Sequence, residues 1–141
     1  MIEIMSTRAI VILSETKPDA YGRKKSEEMF FYRHSDGYPE GTLPILNKFM
    51  DWLKADKIRD NIVQASGWLV ILGAIEYDTI PKCARSKPAT KYGTAYAKVE
   101  TIEEPKDWKV GAFEPTNCIH GDAQWLYEIN LTKKTLTYKE I

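Results

Sequence analysis

The sequence predicts an α+β fold, an antiparallel β-sheet with a two-helix insertion packed on one face. The spacing of apolar residues along the chain predicts two strands, then two helices and then a run of strands. The last strands are joined by a link as short as residues 132–134, which suits a hairpin. Helical crossovers are too few for a doubly wound parallel sheet. We expect one domain, residues 1–141.

Two strands open the predicted fold. Residues 8–14 form a β-branched, apolar run that predicts a buried strand. Residues 28–34 predict a second strand, paired antiparallel with the first through a charged loop at 17–26. Strand alternation then places Arg33 on one face of the sheet and His34 on the other.

Two helices follow. Thr42 is predicted to be the N-cap of the first, with Pro44 in its first turn, where proline is tolerated. After a polar break at 54–57, the second helix carries apolar residues around most of its circumference. Such a helix lies either at the centre of a core or against a partner subunit.

Residues 78–93 predict a long exposed loop whose segment 82–91 is basic, either a solvated connector or a functional loop. Strands are predicted at 95–101, 109–113, 124–131 and 135–139.

The composition excludes several classes of protein. Twenty basic and twenty acidic residues cancel, so no overall field attracts DNA, RNA or an anionic membrane. No apolar run is long enough to span a bilayer. The two cysteines, Cys83 and Cys118, are far apart and lack metal-ligand spacing, which indicates reduced thiols. We expect a cytoplasmic protein.

The run at 32–41, Tyr-Arg-His-Ser-Asp-Gly-Tyr-Pro-Glu-Gly, is the strongest candidate for a functional loop. Its His34-x-Asp36 pattern recurs at His120-x-Asp122. The two pairs are compatible with a four-ligand metal site or with acid–base chemistry on a phosphodiester. Hydrogen bonding to a bound ligand and ordinary turn chemistry are equally open.

Arginines and aromatic residues near this loop suggest a nucleotide pocket. A guanidinium binds phosphates and stacks on adenine, although each arginine has a simpler interpretation as a salt bridge to Asp36 or Asp122. No phosphate-binding loop, zinc or nucleophile motif is present, so no cofactor, metal or catalytic residue is assigned. The candidate ligand-binding residues are Arg8, Arg33, His34, Asp36, Phe113, Asn117, His120 and Asp122.

Residues 5–10, Met-Ser-Thr-Arg-Ala-Ile, and the run at 32–41 resemble a group of small bacteriophage proteins. These share a Ser-Thr-Arg start and an aromatic-x-His-x-Asp-Gly-Tyr-Pro element, and residues 120–127 resemble their closing strand. The sequence also resembles the Thoeris anti-defence proteins, phage sponges that sequester cyclic ADP-ribose signals and in some cases cyclic oligonucleotides.

The resemblance implies a non-enzymatic homo-oligomer with helices at the subunit interface. It also implies a nucleotide pocket between protomers that includes Arg33, Phe113 and Asn117. The basic segment 82–91 departs from the pattern of these phage proteins.

Three functions therefore remain open. The first is sequestration of a small nucleotide signal in the host cytoplasm, with no membrane or nucleic-acid polymer as partner. The second is a small phosphodiesterase or nuclease that uses both His-x-Asp pairs, which requires the two histidines to converge. The third is an inhibitor that binds another protein through the apolar helix.

Overall fold

The computed structural model describes residues 7–76, 86–87, 98–99 and 112–141. The predicted α+β class, with two helices inserted between strands and packed on the sheet, is confirmed. The elements are β1 (Ala9–Pro18), β2 (Lys24–Arg33), α1 (Pro39–Lys54), α2 (Ile62–Glu76), β3 (Ser86–Lys87), β4 (Lys98–Val99), β5 (Glu114–Thr116), β6 (Trp125–Asn130) and β7 (Thr135–Glu140).

Five strands form one sheet in the order β5-β2-β1-β6-β7. Three of the pairings are antiparallel, as expected, but β1 and β6 run parallel, so the sheet is mixed. Ala9 at the start of β1 is opposite Arg33 at the end of β2 and opposite Trp125 at the start of β6. The chain segments around these three positions therefore meet at one end of the sheet, which we call the site end.

The central strand is buried on both faces, as its uninterrupted apolar run predicts. Ala9, Val11 and Leu13 face the helices and join the main core, whereas Ile10 and Ile12 join a smaller cluster on the opposite face. We call these the helix face and the second face. In β2, Phe31 lies on the helix face and Tyr32 on the second face, as the predicted alternation requires.

The helices close the main core. The buried residues of α1 recur at helical spacing, and α2 buries Ile62, Ala65, Leu69 and Leu72 against them and the sheet. The N-terminus of α2 is capped twice: Asn61 Oδ1 accepts the N–H of Val63 at 2.9 Å, and Glu15 Oε2 accepts that of Ile62 at 2.6 Å. The second bond ties the helix directly to β1.

Several predicted boundaries change. The β1–β2 hairpin extends to the pair Pro18 and Lys24, so half of the predicted loop at 17–26 is strand. Ala112 lies in a bend rather than a strand, and the short strand β5 follows it. The predicted strand at 95–101 is described only at Lys98–Val99, paired with Ser86–Lys87. The remainder of it, residues 109–111 and most of the 78–93 loop lie outside the described residues.

The outer side of α2 is apolar and exposed. Trp68 is 36% exposed, Ile71 37% and Ile75 58%, and residues 62–75 contain no charged side chain. Within the segments that the structure describes, no helix has both the length and the apolar character needed to cross a membrane. The thiol of Cys118 is free and exposed, while Cys83 lies outside those segments.

Candidate functional site

The turn that follows β2 brings the chain back across the site end. Asp36 adopts a positive φ of 55°, a conformation that aspartate tolerates better than most residues. Gly37 lies so close to the start of β1 that a Cβ there would approach Ala9 Cβ and Thr7 O to 2.8 Å. Glycine at this position therefore permits the close contact between the turn and β1.

The predicted N-cap at Thr42 is wrong. Helix α1 begins at Pro39 with Tyr38 at the N-cap position, because the proline ring fixes the φ angle that a first helical residue needs. Thr42 is fully buried one turn later, and its hydroxyl donates to the carbonyl of Asp36 at 2.8 Å. Pro44 lies inside the helix rather than in its first turn.

Arg33 is fully buried beneath this turn. Its Nε donates to the carbonyl of Asp36 and one terminal nitrogen donates to that of Gly41, both at 3.2 Å. The guanidinium carbon lies 5.2 Å from the ring centre of Phe113, a cation–π distance. Arg33 thus joins the end of β2 to the first turn of α1, and the structure places it in the core rather than on a surface open to a ligand.

Tyr127 of β6 completes this buried group. Its hydroxyl donates to the carbonyl of Gly37 at 2.6 Å, and burial raises its pKa to about 12. Phe113 is held against Gly73 of α2, where a Cβ would approach its ring to 2.9 Å. We call Arg33, Phe113, Thr42 and Tyr127 the buried arginine group.

A second group of polar side chains lies on the second face of the sheet at the site end. We call it the histidine cluster; it consists of Arg8, Tyr32, His34, Glu114, Thr116, His120 and Asp122. Two pairings assemble it: Tyr32 is opposite Glu114 across β2 and β5, and the parallel β6 brings the segment before Trp125 beside Arg8. The carbonyl of Arg8 accepts the N–H of Gln124 at 2.8 Å, which fixes that approach.

Both histidines contact the ring of Tyr32. His120 stacks on it with ring centres 4.0 Å apart, and His34 meets it edge-on at 4.5 Å. His34 Nε2 lies 2.5 Å from Glu114 Oε2, and His120 Nε2 is hydrogen-bonded to the Thr116 hydroxyl at 2.9 Å. The two imidazoles that the sequence singled out are therefore neighbours around one phenol ring, each oriented by a residue of β5.

The carboxylate of Asp122 links the cluster to Arg8. The Tyr32 hydroxyl donates to Asp122 Oδ2 at 2.6 Å, and Arg8 Nε lies 3.6 Å from the same oxygen. A guanidinium nitrogen of Arg8 also donates to the carbonyl of His34. Burial, reinforced by the bond to Asp122, raises the pKa of Tyr32 to about 12, and the same bond lowers the pKa of Asp122. At neutral pH the phenol is a neutral donor and Asp122 is an anion.

The eight predicted site residues divide into three sets. Arg8, His34, His120 and Asp122 converge in the histidine cluster. Arg33 and Phe113 belong to the buried arginine group, and Asp36 lies in the turn above it, where its carboxylate accepts the Tyr38 hydroxyl at 3.0 Å. Since Asp36 is bonded elsewhere, the two His-x-Asp pairs do not form a common four-ligand site. Among the described residues no group of three or more histidine, cysteine, aspartate or glutamate side chains is arranged to hold a metal.

Asn117 lies apart from both groups, in an apolar groove of about 480 Å³ between β2, β5 and α2. Met29, Gly67, Val70 and Pro115 also line this groove. Thr116 lines it too, so one wall of the groove adjoins the histidine cluster.

Sequence reasoning missed the roles of Glu114 and Thr116. Strand β5 has three residues with a proline in the middle, too short for a periodicity signal. The one local clue is the spacing of Thr116 and His120, four residues apart in a turn-rich segment. The pairing of Glu114 with His34 joins positions that only the β2–β5 register brings together.

A scan against protein-family models found no match, and searches of curated proteins and of solved structures found none either.

Proposed function

We propose that this protein binds a small nucleotide-type signal, a cyclic ADP-ribose isomer or a cyclic oligonucleotide, and sequesters it unchanged in the host cytoplasm. The proposal joins the sequence resemblance to one observation: Arg8, His34 and His120 converge around Tyr32 at the site end. Arg33, Phe113 and Asn117, which the resemblance would place in the pocket, are not needed for it.

The chemistry of the histidine cluster suits such a ligand. The Arg8 side chain is 35% exposed, and a guanidinium offers five N–H donors, more than its two contacts here use. The His34 side chain is 52% exposed, so its imidazole can hydrogen-bond to a ligand through a ring nitrogen and pack against it through the ring edge. The carboxylates of Glu114 and Asp122 can accept hydrogen bonds from ribose hydroxyls or an adenine amine.

The assembly proposed here is a homo-oligomer formed through the helical pair. The supporting observation is an exposed apolar stripe on α2, formed by Trp68, Ile71 and Ile75. Trp52 of α1 packs edge-on against Trp68, with ring centres 6.1 Å apart. Sedimentation velocity tests this, and Ile71→Glu is expected to shift the protein to a smaller species because a charge would be buried in the interface. Val63→Glu, at the other end of the helix, is a matched charge control. A wild-type monomer at all concentrations would contradict the oligomer.

The test of function measures binding and ligand fate together. The protein is titrated with cyclic ADP-ribose isomers and cyclic dinucleotides, then heat-denatured, and the released molecule is identified by mass spectrometry. Arg8→Gln is expected to weaken binding by about tenfold, since a charge-assisted hydrogen bond contributes about 1.5–3 kcal/mol. Arg59→Gln, in the exposed link between α1 and α2, is the control and should bind normally. Failure of every candidate to bind would refute the proposal.

A second function, hydrolysis of a phosphodiester, is favoured by the placement of the two imidazoles. His34 beside Glu114 is arranged as a general base, and His120 could protonate the leaving oxygen. Recovery of a cleaved product in the same experiment would select this function over sequestration. Loss of that product in His34→Gln, with binding retained, would then assign the base.

A further inference from the structure

A basic concavity lies at the opposite end of the sheet from the histidine cluster. It has a volume of about 560 Å³ and lies between the β1–β2 hairpin end and the β6–β7 turn. We call it the lysine pocket; its described lining residues are Thr16, Lys17, Pro18, Gly22, Lys24, Asn130, Thr132 and Lys133. Thr16 is eight residues along β1 from Arg8, which at strand spacing puts roughly 26 Å between the two sites.

The walls of the lysine pocket are held by side-chain hydrogen bonds. Thr132 Oγ1 accepts the N–H of Thr16 at 3.0 Å, which joins the β6–β7 turn to β1. Asp19 organises the hairpin end, because its Oδ1 accepts the N–H groups of both Tyr21 and Arg23 at 2.8 Å. The concavity is therefore formed by two turns that are each fixed, and a ligand would not have to order them.

The charge of the lysine pocket is compensated only at Lys17. Three of its lining residues are lysines, and no carboxylate is among the described lining residues. Lys17 pairs with Glu15 at 3.2 Å, but Lys24 and Lys133 make no ion pair with the described part of the chain. The nearby carboxylate of Asp19 is occupied by Arg23 at 2.9 Å. The charges of Lys24 and Lys133 are therefore available to a bound anion, which they would attract.

We propose that the lysine pocket binds the phosphate groups of a small polyphosphate-bearing molecule. Lysine ammonium groups are point charges that suit phosphate oxygens. The side-chain NH2 of Asn130 supplies a further donor, while its oxygen accepts the N–H of Lys133 at 2.9 Å. A single monovalent anion would leave one of the two unpaired lysine charges, those of Lys24 and Lys133, unmatched. The proposal is independent of the histidine cluster, because no residue is shared between the two sites.

Inorganic pyrophosphate and ADP are the probes, titrated separately into the full chain by calorimetry at low, constant ionic strength. Lys24→Gln/Lys133→Gln is expected to weaken binding of both probes by about tenfold or more, since two charge-assisted contacts are lost. Lys25→Gln/Lys139→Gln removes the same charge from exposed positions outside the pocket and should retain wild-type affinity. Equal affinity for pyrophosphate and ADP identifies the phosphates as the recognised group, and tighter ADP binding adds a nucleoside contact.

Two results would overturn the proposal: no saturable binding of either probe, or equal weakening in both double variants, which would indicate only bulk charge. The Arg8→Gln variant separates the two sites, because it should bind pyrophosphate as the wild type does. Loss of pyrophosphate binding in Arg8→Gln would place the anion site at the histidine cluster instead.

Discussion

Two arginines at the same end of the sheet, one just before β1 and one at the end of β2, have opposite environments. Arg33 lies on the helix face, is fully buried and donates to carbonyls of the turn and of α1. Arg8 lies on the second face, remains 35% exposed and is shared between Asp122 and the carbonyl of His34. Burial accounts for the difference, since both residues are arginines at the same end of the sheet and only Arg8 keeps an exposed guanidinium.

The tyrosines follow the same division. Tyr127 donates to a backbone carbonyl inside the buried arginine group, whereas Tyr32 donates to a surface carboxylate and supports both histidines. On the helix face, polar groups are used to join elements of the fold. On the second face, they are gathered at a surface.

The largest expected effect is on stability, from Arg33→Met. Methionine retains much of the apolar volume but leaves the carbonyls of Asp36 and Gly41 buried without these donors, so we expect a loss of about 3 kcal/mol in the free energy of unfolding. Urea denaturation measures it. A loss below about 1 kcal/mol would show that the buried arginine group does not hold the turn.

Tyr127→Phe should have the next largest effect. The hydroxyl that donates to Gly37 is lost without a change of shape, leaving that carbonyl unsatisfied, and the expected loss is about 1–2 kcal/mol. Tyr138→Phe, whose ring stacks on Tyr127 at 5.8 Å but is half exposed, is the control and should change stability little. Equal losses in the two variants would contradict a specific role for the Tyr127 bond.

Alkaline pH tests both tyrosines at once. The pKa of Tyr32 and of Tyr127 is raised from 10.0 to about 12, chiefly by burial, so the folded state retains protons that the unfolded state releases. The contribution of these two phenols to the free energy of unfolding is therefore fully present below pH 10. It should fall as pH rises from 10 toward 12. Each Tyr→Phe change should make the fall shallower in pH-dependent denaturation. If the free energy of unfolding falls with pH as steeply in both variants as in the wild type, the two tyrosines do not have raised pKa values.

Arg8→Gln should have the smallest effect on stability, within about 0.5 kcal/mol, because an exposed ion pair contributes little. Its ligand affinity is expected to fall nonetheless, as described above. Arg8→Gln is thus expected to lower affinity with little change in stability, whereas the main effect expected of Arg33→Met is on stability. A large loss of stability in Arg8→Gln, measured by urea denaturation, would make Arg8 a structural residue too.

Much of the fold could be predicted from local pattern. The run at Ala9–Leu13, the helical spacing of α1 and the alternation of Phe31 and Tyr32 each indicate their element correctly. The start of α1 was misplaced because Thr42 has the chemistry of a cap, whereas the proline at 39 determines the first turn. Of the eight candidate site residues, four converge in the histidine cluster, whereas Arg33 and Asp36, which have the residue types of a binding site, are bonded within the turn.

The sequence by itself determined the α+β class, the buried central strand and the opposite facing of Arg33 and His34, because these depend on periods of two and 3.6 residues. Only the tertiary structure decided that β6 runs parallel to β1 and that β5 pairs with β2. Those two registers bring His120 and Asp122 to His34 and place Glu114 and Thr116 behind the imidazoles. Pairings between distant segments are selected by packing of the whole chain, so no local pattern encodes them.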